Sequence, residues 1–235
     1  METPLTPLLL LPGMMCDARL FTPQVNRFSA ERAVQVACLT RHNRVEQMAQ
    51  AVLASAPERF ALAGLSMGGI VAMEVVRQAP QRVAGLALLD TNPLAEDARV
   101  QASRGPQMKT AAAGGLLDML VERVFPNYLA AGAEQEAMLA TCFAMAETLG
   151  AGVFIRQSQA LMHRPDQTDT LRRFTVPTLI LCGDEDRLCP VSRHTLMKEL
   201  MPHARLHIIP GAGHLTTLEK PTDTNDAMAQ WLEAL

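Results

Sequence analysis

Short apolar runs alternate with segments of helical periodicity at both ends of the chain, and the middle follows another pattern. Residues 8–11 are four leucines closed by Pro12-Gly13, which predicts a strand entering a turn. Residues 33–39 (AVQVACL) predict a second strand. Residues 45–54 carry Val45, Met48, Ala49, Val52 and Leu53 on one helical face. Residues 60–64 predict a third strand, followed by a helix from about Met67 to Ala79 that stops at Pro80. Residues 83–89 are nearly continuous in Val, Ala and Leu, as a strand covered on both faces would be. Residues 178–182 and 205–209 predict two further strands, and residues 191–200 and 223–235 two helices. The reading is an α/β fold with a mostly parallel sheet of about six strands and helices on both faces. Residues 93–174 contain no convincing strand. They are rich in Ala, Leu, Met and Gln, and Gly105-Pro106, Gly114-Gly115, Pro126 and Gly150 punctuate them into three to five helices. Because this stretch lies between two strands, residues 1–92 and 175–235 form one core and residues 93–174 an insertion.

Composition narrows the function classes. The chain has 235 residues, 49% hydrophobic and 19% charged, which suits one packed domain. A net charge of −3 without a Lys/Arg run speaks against a nucleic-acid surface, and 4% aromatics against base stacking. The longest weakly polar run, residues 61–73, is shorter than the roughly 18–20 apolar residues of a membrane span and holds three glycines and a serine. The N-terminus lacks the basic residues of a secretory signal. The five cysteines form no CxxC pair and no zinc spacing with histidine, so we expect free buried thiols, no metal and a cytoplasmic protein.

The chemistry begins at Gly64-Leu65-Ser66-Met67-Gly68, a Gly-x-Ser-x-Gly motif that follows a predicted strand and opens a predicted helix. A serine at the tip of such a turn is held in strained backbone, and small residues two positions before and after it relieve crowding. The helix N-terminus then aims N–H groups at charge developing beside Ser66. Without that strand-turn-helix context, the motif would be only a packing turn.

In these residues the chain resembles the α/β-hydrolase superfamily, along nearly its whole length. The resemblance implies a Ser-acid-His triad, an oxyanion hole and a helical cap, here residues 93–174. The family's acid follows a strand as Gly-x-x-Asp with a Pro beyond, and Asp186 in Gly183-Asp184-Glu185-Asp186, ahead of Pro190, fits that place. Asp90 ends its own strand and is the rival. The family's base follows Gly-x-Gly, and Gly211-Ala212-Gly213-His214 fits. Of the other histidines, His207 lies in a strand, His42, His194 and His203 read as solvated, and His163 sits in the cap. The resemblance assigns the oxyanion donors to the backbone N–H groups of Met14 and Met67. Pro12 stands where the family commonly has His, so a side-chain bond there is lost. Two strands that usually precede the first parallel strand are absent. Candidate pocket residues are Met15, Arg156 and His163; Arg156 or Arg164 could meet a substrate carboxylate, but the usual exposure of arginine favours their being solvated or paired with carboxylates.

The resemblance implies a serine hydrolase of esterase and lactonase type, similar to enol-lactonase and carboxylesterase members. It would cleave a small or medium apolar ester or lactone with no cofactor and no metal. Its partner is that small molecule, without nucleic acid or membrane, and a homodimer is left open. Two alternatives stand: a triad-based lyase of the menaquinone-pathway type, and a ligand-binding receptor on the same fold.

Overall fold

The apolar runs become a sheet whose four inner strands are buried on both faces, while residues 205–209 keep Arg205, His207 and Ile208 exposed at one edge. The structure, a computed structural model, describes residues 5–132 and 135–235. Among them, six strands pair in parallel: β1 (Leu8–Leu11), β2 (Val34–Val36), β3 (Phe60–Leu65), β4 (Val83–Leu89), β5 (Thr178–Gly183) and β6 (Arg205–Ile209), in the order β2-β1-β3-β4-β5-β6. The register sets Gly64 beside Leu88 and Leu88 beside Ile180. Alternate residues pack to opposite sides. Leu8, Leu10, Ala63 and Leu181 face one core with α1 (Thr22–Phe28) and α10 (Pro221–Leu232). Leu9, Leu11, Leu62 and Ile180 face the other, with α2 (Val45–Ser55), α3 (Met67–Gln78) and α8 (Val191–Leu200). Leu62 and Leu86 are fully buried, and burial of each such leucine contributes about 2 kcal/mol. The second strand is shorter than residues 33–39, because β1 pairs with it only from Val34 to Val36.

Between β4 and β5 the chain is helical: α4 (Ala98–Ala112), α5 (Leu116–Arg123), α6 (Gln135–Met162) and α7 (Thr168–Arg173), with a short α9 (Thr216–Glu219) later, before α10. One expectation fails here. Gly105-Pro106 does not break a helix; α4 runs through Pro106. The missing N–H of Pro106 forfeits one hydrogen bond. The helix persists because it is pinned by buried Ala111 and by Arg104, which is ion-paired to Glu96. Gly150 does punctuate. Its φ of 72° and ψ of 175° divide α6 into two pieces. By length and composition, α6 is the one helix among the described residues apolar enough to cross a membrane, a stretch the sequence reading passed over. Neither piece reaches about 18 residues, and Cys142, Met145, Val153 and Phe154 are buried in the core against Met15 and Tyr128.

Candidate active site

Parallel strands deliver their carboxyl ends to one edge, so side chains distant in sequence meet there. Ser66 stands between β3 and α3 with φ 55° and ψ −117°, a conformation a serine keeps only under constraint. The constraint is visible. The Ser66 N–H donates to Leu89 O (2.9 Å), and Thr91 Oγ1 donates to Ser66 O (2.7 Å). A side chain at Gly64 would lie 2.3 Å from Gly68 O, and one at Gly68 would lie 1.9 Å from Leu11 O. Met67 is the first residue of α3, so its N–H has no intrahelical acceptor. Across the turn after β1, Met15 N donates to Gln157 Oε1 (2.9 Å) and Cys16 N to Gly13 O (3.2 Å), and Met14 N–H donates to none of the described residues.

His214 follows β6 and Asp186 follows β5. The His214 Nδ1–H donates to Asp186 Oδ2 (2.8 Å), which leaves Nε2 to accept from the Ser66 hydroxyl (2.9 Å). Asp186 is held in turn by the N–H groups of Leu188 (2.8 Å) and Cys189 (2.9 Å), both on Oδ1. The imidazole is 3% exposed, so this chain is largely shielded from water. Asp90 does not touch His214. It accepts from Gly183 N (3.1 Å) and Thr216 Oγ1 (2.5 Å), tying the loop after His214 to the end of β5. Burial, then the charge of Asp186, pushes its carboxyl well above the usual range, and its hydrogen bonds oppose that rise.

The model of the alpha/beta hydrolase family matches residues 8–227. The chain belongs to that family. A pimeloyl-(acyl-carrier protein) methyl ester esterase of Edwardsiella ictaluri is 25% identical over 240 residues, 96% of this chain and 93% of the relative. A thermophilic esterase from Thermogutta terrifontis, solved with malate bound, superposes with a TM-score of 0.88 at 25% identity over 97% of this chain and 89% of that one. The enol-lactonase of Burkholderia xenovorans LB400 has a TM-score of 0.85 at 18% identity, over 97% of this chain and 92% of its own, a likeness of fold.

In this α/β-hydrolase, Ser66 and His214 open onto a cavity of about 470 Å³, lined also by Met14, Met15, Met67 and Tyr128. Arg156 and His163 do not line the cavity. Arg156 donates from Nε to Thr40 O (2.8 Å) outside it, and His163 is exposed. Arg164 does line it, together with Arg104, Arg193 and Glu96. His194, read as solvated, is fully buried. Its Nε2 accepts from Thr91 N (3.0 Å), and burial lowers its pKa to about 4, so the ring is neutral.

Three further residues hold the site. The Tyr128 carbonyl accepts from His214 N (2.7 Å) while its ring packs 5.9 Å from the imidazole. Gln157 clamps the turn after β1 to Leu39 O (3.1 Å). Glu219 accepts from Gly213 N, Leu215 N and Ala130 N and holds the loop of His214. The first two have no local signature, and all three act across a fold contact.

Thiols differ from the expectation in part: Cys16, Cys142 and Cys182 are buried, but Cys38 is exposed and Cys189 half-buried at the cavity. Cys189 brings its sulfur within 4.8 Å of ligand atoms on Asp186 and His214. Burial and Asp186 push that thiol well up, so it stays protonated, and the imidazole and carboxylate already engage each other. The donor set does not fit a resident metal.

Proposed function

We propose that the protein is a serine hydrolase cleaving a small or medium carboxylic ester or lactone through an acyl-enzyme on Ser66. One observation carries this reading: an unbroken chain of hydrogen bonds from the Ser66 hydroxyl through His214 to a buried Asp186. Ser66 Oγ attacks the carbonyl while His214 Nε2 takes its proton. Asp186 keeps Nδ1 protonated before attack and stabilises the imidazolium after it. The carbonyl oxygen, now an oxyanion, is met by the N–H groups of Met14 and Met67. His214 returns the proton to the leaving alkoxide, and water repeats the sequence to release the acid. Residues 93–174 act as a cap that closes the cavity and shapes its far wall. The esterase names of two relatives at 25% identity support ester chemistry.

The test is Ser66→Ala, assayed on p-nitrophenyl esters of graded chain length and on lactones, with fluorophosphonate labelling of the parent. Turnover falls by at least about a hundredfold, and the label maps to Ser66. Retention of parental turnover, or labelling at another residue, overturns the assignment.

A further inference from the structure

The cavity has two unlike sides. Beside Ser66 it is largely apolar, walled by methionines, Leu120 and Phe154. Four arginines line it, Arg104, Arg123, Arg164 and Arg193, and the charges of Arg104 and Arg193 both bear on Arg164. Only one carboxylate is buried among them. Glu96 is 1% exposed at its side chain and takes the fork of Arg104, Nε to Oε2 at 2.5 Å and Nη2 to Oε1 at 2.7 Å. Asp97 also lines the cavity, but it is exposed and caps α4 through Arg99 N (2.8 Å).

That pairing leaves cationic capacity unspent. Arg164 reaches Glu96 only with Nη1 at 3.4 Å and donates Nε to Leu94 O at 3.0 Å. Arg193 is half-buried, and its guanidinium makes no hydrogen bond or ion pair with any described residue. Burial of Arg164 lowers its pKa, and the neighbouring charges of Arg104 and Arg193 act in the same direction, with Glu96 opposing. Fixed cations crowded beside an apolar cavity are unfavourable unless a counter-ion completes them. The open side of the group is the cavity itself, so the counter-ion enters as ligand.

We infer that Arg193 and Arg164, backed by the Arg104–Glu96 pair, form an anion subsite, and that the substrate is an ester or lactone carrying a carboxylate. The inference rests on the reading of Ser66 as nucleophile and names the substrate class of that site. A planar guanidinium fork matches a carboxylate. The subsite is also close to the reacting centre. Arg104 Nη1 lies 3.7 Å from Sδ of Met14, whose N–H faces the reacting carbonyl in the proposed mechanism. Arg164 and Arg193 line the same cavity as Ser66 and Cys189, and the Cys189 sulfur lies within 4.8 Å of ligand atoms on Asp186 and His214. The carboxylate therefore sits a short chain from the scissile carbonyl, as in the half-ester of a short dicarboxylic acid.

The experiment compares monomethyl glutarate with the neutral methyl pentanoate, alongside calorimetric binding of glutarate. The parent prefers the half-ester by at least about tenfold in kcat/KM, and Arg193→Gln lowers that preference at least about tenfold. Glutarate binds the parent and loses at least about tenfold in affinity in Arg193→Gln, a readout that needs no turnover. Equal use of the two esters by a protein whose Ser66 still labels overturns the subsite and leaves the hydrolase reading standing. Failure of both esters together with absent labelling overturns the hydrolase reading, and glutarate binding then decides the subsite alone. Glutarate that binds parent and variant equally, or binds neither, overturns it.

Discussion

Ser66, Asp186 and His214 stand on turns that leave β3, β5 and β6, whereas Arg104 and Arg164 belong to the helical segment between β4 and β5. Glycines show how differently these two sides are packed. At the sheet edge a Cβ on Gly64, Gly68 or Gly183 would come within 2.4 Å of backbone oxygen, so main chain lies directly on main chain. In the helical segment, Gly105, Gly114 and Gly150 meet nothing within 4 Å. Main-chain contacts fix positions, because peptide groups have few ways to yield. Apart from residues 128–130, whose main chain lies against Gly213 and His214, the helical side is filled by side chains, which can be exchanged while the helices remain. Reaction geometry thus belongs mainly to the sheet edge, with Tyr128 and Gln157 bracing it, and the shape and charge of the ligand to the helical segment together with Arg193 of α8.

The largest effect belongs to the acid. In Asp186→Asn the imidazole loses the partner that sets its tautomer, and kcat/KM falls by about ten-thousandfold with the fold retained. Asp90→Asn, measured in the same assay, stays within about tenfold, because Asp90 contacts Thr216 and Gly183 and not the ring. Reversal of that order would place the acid on β4.

Two glycine substitutions address the contrast itself, with unfolding in denaturant as the readout. Gly68→Ala pushes a methyl group against Leu11 O, 1.9 Å from the ideal Cβ, and destabilises by about 3 kcal/mol or more. Gly152→Ala lies in the second piece of α6, where the nearest atom is the movable guanidinium of Arg156 at 3.5 Å. It stabilises by about 0.5–1 kcal/mol through helix propensity. Similar losses at both positions would mean that the two sides are packed alike.

What the sequence announced follows the same division. The strands, the turn of Ser66 and the loops of Asp186 and His214 are local patterns, an apolar run followed by a fixed spacing of small residues. The structure places each within a residue or two, apart from the shortened β2. The preference for Asp186 over Asp90 rests on the fuller Gly-x-x-Asp pattern around it; both follow buried strands, and the path of the His214 loop pairs the ring with Asp186 and Thr216 with Asp90. The helical side was legible as helix and little more. Arg104 pairs with Glu96 eight residues away through a loop and a helix start, and Gln157 meets Met15 across 142 residues. Arg156 and Arg164 lie in one polar stretch, yet only the second faces the cavity. A pattern along the chain cannot state which turn of a kinked helix looks inward.

His194 tests whether the sheet edge is also electrically rigid. It links the two halves of the nucleophile support: its Nε2 accepts from Thr91 N, and Thr91 Oγ1 donates to Ser66 O. Protonation at Nε2 removes that acceptor. Burial holds the folded pKa near 4, below the ordinary 6.5, so between those values the unfolded chain binds the extra proton. The contribution of His194 is complete above pH 6.5 and is lost as pH falls toward 4. At pH 5 the loss is about 2 kcal/mol relative to neutral pH. Asp90 and Glu219, both raised by burial, act in the opposite sense: their folded forms hold protons longer, and their contributions decline as pH rises. The parental curve is therefore composite, and a non-titrating acceptor isolates the histidine. His194→Gln can still receive the Thr91 N–H, so unfolding free energies of parent and variant, measured from pH 7.5 to 4.5, diverge by about 2 kcal/mol at pH 5, with the parent falling faster. Parallel curves would show that the ring gains a proton without disturbing Thr91, and that the support beneath Ser66 yields more readily than its backbone contacts imply.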